Sequence, residues 1–158
     1  ILDLAKVRML DFYYDVIARI GGSLISFDTD AFTFHVDPDL SIATALPPSL
    51  RELYFDDPSD PQGGGRKKQG TPGLFHLESN GIAARAVGAK MICVTDGYSA
   101  TKVSCKGVKR SALPDNPYPM YAAMCEGKQF TVEFPSTRVD KDTGNLVATK
   151  MRRTMKTT

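Results

Sequence analysis

The stretch Leu24-Ile25-Ser26-Phe27-Asp28-Thr29-Asp30-Ala31-Phe32-Thr33-Phe34-His35-Val36 decides the fold. Two short runs crowded with β-branched and aromatic residues flank Asp28-Thr29-Asp30. In the second run Phe32, Phe34 and Val36 share one face at the strand period of two. Aspartate is a poor strand former, so a short break that carries two of them predicts a tight hairpin. Two carboxylates at a stiff tip repel one another unless a cation lies beside them. Carboxylates are also the hard oxygen ligands that Mg²⁺ prefers. On spacing alone the plainer use is favoured, a turn that employs aspartate for local hydrogen bonding and solubility. The neighbouring segments decide between the two.

Upstream, Leu2, Ala5, Met9, Phe12, Val16 and Ile20 recur at three- and four-residue steps, the stripe of an amphipathic helix over 1–20. Gly21-Gly22 ends it, since glycine adopts a left-handed cap at low cost. The order is helix, glycine turn, strand, Asp-Thr-Asp, strand. Downstream come Thr71-Pro72-Gly73-Leu74-Phe75-His76-Leu77-Glu78, then Lys90, then Ser104-Cys105-Lys106-Gly107-Val108-Lys109-Arg110.

This series resembles the palm of family B DNA polymerases, whose motif C is a hairpin tipped by Y-x-D-T-D-S. Ala5 to Asp15 is similar to the helix before motif C in protein-primed members, particularly those of polinton-like mobile elements and related viruses. Thr71 to Glu78 is similar to a T-P-G-L-F-K-L-E segment of that subgroup. Lys90 and the 104–110 run resemble its K-x-Y strand and S-C-K-G-V run. The likeness spans about Ala5 to Arg110, and Phe130 to Lys156 is a weaker match to the segment entering the thumb. Four collinear motifs are a far more specific signal than any one of them.

The resemblance implies an α+β fold, in which an amphipathic helix packs on an antiparallel hairpin as part of a palm. It assigns 1–112 to that partial palm, with a mobile loop at about 56–70, and 113–158 to the connection into the start of the thumb. The implied function is DNA-directed DNA synthesis, nucleotidyl transfer to a primer 3′ end with two Mg²⁺ ions clamping the attacking and leaving oxygens. Asp30 matches the direct metal ligand of motif C and Asp28 the supporting carboxylate, so both are the expected catalytic and metal-binding residues. Lys90 would approach the primer-template near its growing end. Lys106, Lys109 and Arg110 would contact DNA phosphates, which carry no sequence information. The implied partners are primer-template DNA, deoxynucleoside triphosphates and, where priming is by protein, a terminal protein.

The chain departs from the family at Ala31 (serine expected), Ser26 (tyrosine expected) and Ile92 (the tyrosine of K-x-Y). No segment matches the family's motif A aspartate or its motif B helix, both of which precede motif C. A piece of a longer enzyme, inactive in isolation, is therefore expected. A decayed relic that binds DNA without catalysis is the alternative. A third class is an unrelated metal-dependent nuclease or binding module that merely contains D-x-D.

Composition narrows the field further. The 158 residues are 42% hydrophobic, enough for one or two small cores. No apolar run is long enough to span a bilayer, so no membrane partner is expected; no secretory signal is visible, and the odd number of cysteines favours a reduced intracellular setting. Cys93, Cys105 and Cys125 form no C-x-x-C pair, which disfavours a disulfide framework and a zinc site alike. No nucleophile motif links the Ser, His and Asp residues, and Gly63-Gly64-Gly65-Arg66-Lys67-Lys68-Gln69-Gly70 lacks the phosphate-loop spacing. The net charge of +2 conceals polarity. Acidic residues dominate Asp28 to Asp60, and basic ones dominate Arg85 to Arg110. An acidic metal-binding end beside a basic stretch suits a nucleic-acid enzyme, as does, equally, an unevenly charged solvated surface.

Proline density between Val36 and Pro72 predicts irregular chain with a short helix over Pro47 to Phe55. Strands are expected at Leu74 to Glu78, Ala89 to Thr95, Thr101 to Lys106, Gln129 to Phe134 and Leu146 to Lys150. A short helix is expected at Tyr121 to Cys125. The basic tail from Met151 is expected to fray.

Overall fold

The structure, a computed structural model, describes residues 2–59, 61 and 71–157. It is α+β, with antiparallel sheets and a few helices in two compact units, Ile1–Asn80 and Gly81–Thr158. The division expected at 112/113 falls inside the second unit. Most of the expected mobile loop, residues 60 and 62–70, lies outside the described residues.

In the first unit, α1 (Leu2–Phe12) runs directly into a π-helical segment, Tyr13–Ala18, where an unbroken α-helix was expected. Within it Val16 and Ile17, adjacent in sequence, are both fully buried beside Phe12 and Ile20. The helix ends in a Schellman cap, with Gly22 N–H donating to the Ile17 carbonyl (2.8 Å) and Gly21 N–H to that of Ala18 (3.1 Å). Gly21 takes φ +71, and an added Cβ on Gly22 would lie 2.9 Å from Ile17 Cγ2.

β1 (Ser23–Asp28) and β2 (Ala31–His35) then form a two-stranded antiparallel hairpin. A bulge between Leu24 and Ser26 shifts the register, so that Leu24 pairs with Phe34 and Phe27 with Phe32. The extra residue puts Leu24 and Phe27, three apart in sequence, on one face with Phe32 and Phe34. Phe32 and Phe34 pack on the helix, and the Phe12 and Phe32 rings stack at 5.9 Å. Two short helices, α2 (Ile42–Ala45) and α3 (Pro48–Tyr54), close the core with Ile42, Leu46, Tyr54 and Phe55. The strand expected at Leu74 to Glu78 is reduced, among the described residues, to one bridge between Phe55 and Phe75.

The second unit holds a three-stranded sheet of β3 (Ala83–Gly88), β4 (Met91–Thr95) and β5 (Ala100–Cys105), in that spatial order. The β3 segment, Ala-Ala-Arg-Ala-Val-Gly, carries no β signal of its own, and its strand state comes from pairing with β4. Ala89 and Lys90 form the turn between them and do not belong to the strand expected at Ala89 to Thr95. A 3-10 turn (Arg110–Ala112) and α4 (Tyr118–Cys125) follow, and Tyr121, Met124 and Leu113 pack with Val87 and Cys93.

β6 (Phe130–Val139) and β7 (Leu146–Met155) make a ten-residue ribbon in unbroken register, Phe130 opposite Met155 and Val139 opposite Leu146. Both run beyond the expected Gln129 to Phe134 and Leu146 to Lys150. The tail is therefore paired and not frayed through Met155, which is 3% exposed and buried with Tyr121 and Met124. Beyond it, Thr157 Oγ1 donates to the Met124 carbonyl at 2.8 Å.

Candidate functional site

Asp28 closes β1 and pairs with Ala31, leaving Thr29 and Asp30 as a two-residue turn at the hairpin tip. Asp28 is half-buried and Asp30 exposed. Asp30 N–H donates to the Asp28 carbonyl at 2.5 Å, and Thr29 Oγ1 to Asp28 Oδ1 at 3.2 Å. Thr29 sits at φ +50, a region that costs a β-branched residue about 1–2 kcal/mol. The bulge puts Phe27 on the Phe32 side of the hairpin, the two rings stacked at 5.1 Å, and Asp28, the next residue, on the opposite face. The hairpin thus anchors one face in the core and presents two carboxylates at its end.

These are hard oxygen donors of the kind Mg²⁺ takes, and one or two carboxylates hold it where water and substrate phosphates supply the remaining ligands. Among the described residues no group of three or more His, Cys, Asp or Glu side chains converges closely enough to bind a metal ion. Asp28 and Asp30 are thus donors of a type that fits magnesium, and among the described residues they belong to no larger cluster of ligand side chains.

The helix beneath the hairpin is locked by a polar contact that the sequence does not signal. Tyr54, 1% exposed, donates its hydroxyl to Asp15 Oδ2 at 2.6 Å. Burial first, and then the Asp15 carboxylate, push the Tyr54 hydroxyl up to about 12. Arg8 lies over the Tyr54 ring at 4.4 Å, donates to the Gly73 carbonyl at 2.9 Å and also donates to that of Leu53. Arg8 thereby ties α1 to α3 and to the Thr71–Glu78 segment. Nothing in the sequence joins Asp15 to Tyr54, because the π turn sets the direction in which Asp15 points.

In the second unit the structure brings Lys90 and Lys106 together. Lys90 occupies the β3–β4 turn at φ +58, and its carbonyl accepts both Lys106 N–H (3.1 Å) and Ser104 Oγ (3.0 Å). Tyr121 supports the arrangement from below, donating its hydroxyl to the Ser104 carbonyl at 2.6 Å. Burial, aided by Cys105, drives the Tyr121 hydroxyl above its ordinary range. Lys109 and Arg110 are engaged differently. Lys109 Nζ donates to the Pro135 carbonyl at 2.6 Å, and Arg110 to the Pro114 and Asp115 carbonyls at 2.9 and 2.7 Å. Ile92, which the resemblance aligns with the tyrosine of K-x-Y, is 5% exposed and faces the protein interior.

The unit boundary also sorts the charge. Residues 1–80 carry twelve acidic and seven basic side chains, net −5, while 81–158 carry six acidic and thirteen basic, net +7. Neither unit alone matches the near-neutral average. No protein-family model, curated protein or solved structure matches the chain. Among the described residues no helix is long and apolar enough to cross a membrane.

Proposed function

We propose that this chain is part of the palm, with the start of the thumb, of a template-directed DNA polymerase that transfers nucleotides to a primer 3′ end. The observation that carries this reading is the Asp28-Thr29-Asp30 turn. It stands at the tip of a hairpin whose inner face is packed against a helix through Phe12, Phe32 and Phe34. Strain at Thr29, between the two carboxylates, is the kind of local cost that persists where surrounding structure over-determines a tip. Asp30 would be a direct Mg²⁺ ligand and Asp28 its supporting carboxylate. Bound Mg²⁺ would supply charge neutralisation for the transferring phosphoryl group. The hairpin's own contribution is stiffness, holding both carboxylates in one geometry. Lys90 and Lys106 would hold primer-template phosphates, and deoxynucleoside triphosphates would be the second substrate.

The remaining metal ligand and the nucleotide-gripping helix would belong to segments with no match in 1–158. Purified 1–158 is therefore expected to show no primer extension. A polypeptide that joins those segments to this one is expected to extend a primer in Mg²⁺ and to lose that activity on Asp30→Ala. Extension that survives Asp30→Ala overturns the proposal. A second reading, a relic that binds DNA without catalysis, draws on Ala31, Ser26 and the buried Ile92. It expects the joined polypeptide to bind primer-template and extend nothing.

A further inference from the structure

In the sequence, Lys106, Lys109 and Arg110 look interchangeable as phosphate contacts; their surroundings separate them. Lys109 and Arg110 have their donors directed at three backbone carbonyls, those of Pro135, Pro114 and Asp115. These bonds brace the 104–115 segment against itself and against β6. Lys106 is exposed, and among the described residues its ammonium has no hydrogen-bond or ion-pair partner.

A further cation reaches the same loop from β7. Arg153 lies opposite Val132 in the ribbon, so no carboxylate faces it across the strands. Its neighbour Arg152 does face one, Glu133, at 3.9 Å. Arg153 instead approaches Gly107, where an added Cβ would stand 3.9 Å from its Nε. Gly107, at φ +78, sits in the turn closed by Val108 N–H to the Cys105 carbonyl (3.1 Å), and Lys106 is the other central residue of that turn. Absence of a side chain at 107 leaves the guanidinium open on the loop. Among the described residues Arg153, too, is without a hydrogen-bond or ion-pair partner.

We infer that Lys106 and Arg153, gathered around Gly107 at the end of the β4–β5 hairpin, form a phosphate seat that takes the phosphodiester backbone of nucleic acid, whereas Lys109 and Arg110 are braces. The inference rests on the nucleic-acid reading above and alters which residues carry it. A guanidinium offers a planar fork to two phosphate oxygens, and an ammonium adds a point charge beside it. Two unpaired cations, one on the carboxylate-free turn at 105–108 and one beside it, suit an anionic ligand, since their mutual repulsion falls when one binds.

The test is a salt titration of the whole chain with a fluorescent 16-base-pair duplex, read by anisotropy. Removing one cation that neutralises a phosphate should reduce the slope of log K against log salt by about 0.9, which amounts to roughly an eightfold drop in affinity at 0.1 M salt relative to 1 M. Lys106→Gln and Arg153→Gln are each expected to show that drop, and Arg153→Lys to retain the slope. Lys109→Gln and Arg110→Gln are expected to leave the slope unchanged while lowering the unfolding midpoint. If wild type binds with a steep salt dependence that Lys106→Gln and Arg153→Gln do not alter, the seat is wrong and the nucleic-acid reading stands. Salt-independent binding, or none, overturns both. If the two variants weaken only a deoxynucleoside triphosphate and leave the duplex slope intact, the backbone assignment is overturned.

Discussion

Replacing Tyr54 by Phe tests the lock under the hairpin in a way that separates the hydroxyl from the ring. The ring is buried against Phe12 and Arg8, and phenylalanine keeps those neighbours. What disappears is the 2.6 Å hydrogen bond to Asp15, and a bond to a charged group contributes about 1.5–3 kcal/mol. At pH 7 the variant should be less stable by that amount. Alkali should close the gap. The folded state holds the Tyr54 proton up to about 12, while an unfolded tyrosine releases it near 10, so wild-type stability falls as pH rises past 10. At pH 11 that fall is about 1.4 kcal/mol for Tyr54, and the phenylalanine variant cannot suffer it. Tyr121 titrates in both proteins and cancels. The assay is urea unfolding followed by far-ultraviolet circular dichroism at pH 7 and pH 11, since the chain has no tryptophan. A wild-type-to-variant difference that stays constant or grows between those pH values refutes the argument.

Two further outcomes follow from packing. Gly22→Ala forces a Cβ to 2.9 Å from Ile17 Cγ2 and 3.0 Å from its carbonyl oxygen, and should cost about 1–3 kcal/mol in urea unfolding. Gly21→Ala meets open space, so its cost is confined to the left-handed backbone, about 1–2 kcal/mol. A neutral effect at both positions would show that the Schellman cap does not form. Cys125 is exposed, whereas burial pushes the Cys93 and Cys105 thiols up. In native protein at pH 7.5 Cys125 should therefore react quickly with a disulfide reagent, half-buried Cys105 more slowly, and Cys93 only in urea. Three equally fast thiols would contradict the second unit's core.

The hairpin, its aspartate-bearing tip and the glycine-ended helix before it were legible in the sequence, because each depends on residues within a few positions of one another. Alternation at Phe32 and Phe34, a helical stripe through Met9, Phe12, Val16 and Ile20, and paired glycines report local backbone preference directly. The π turn was hidden, since Val16 and Ile17 can both be inward only when Phe32, Phe34 and Tyr54 are there to cover them. The strand state of β3 was hidden for a similar reason, as alanine-rich chain takes its conformation from the partner it pairs with.

Charge behaved the same way. That 104–110 is basic was plain from its composition, but the difference between Lys106 and Lys109 was not, for it depends on a carbonyl at Pro135 and an arginine at 153. Sequence alone determined which residue types stand at the hairpin tip and which half of the chain is acidic. Tertiary structure decided which side chains are held and which are open, because hydrogen bonds between residues tens of positions apart leave no periodic trace in the chain that makes them.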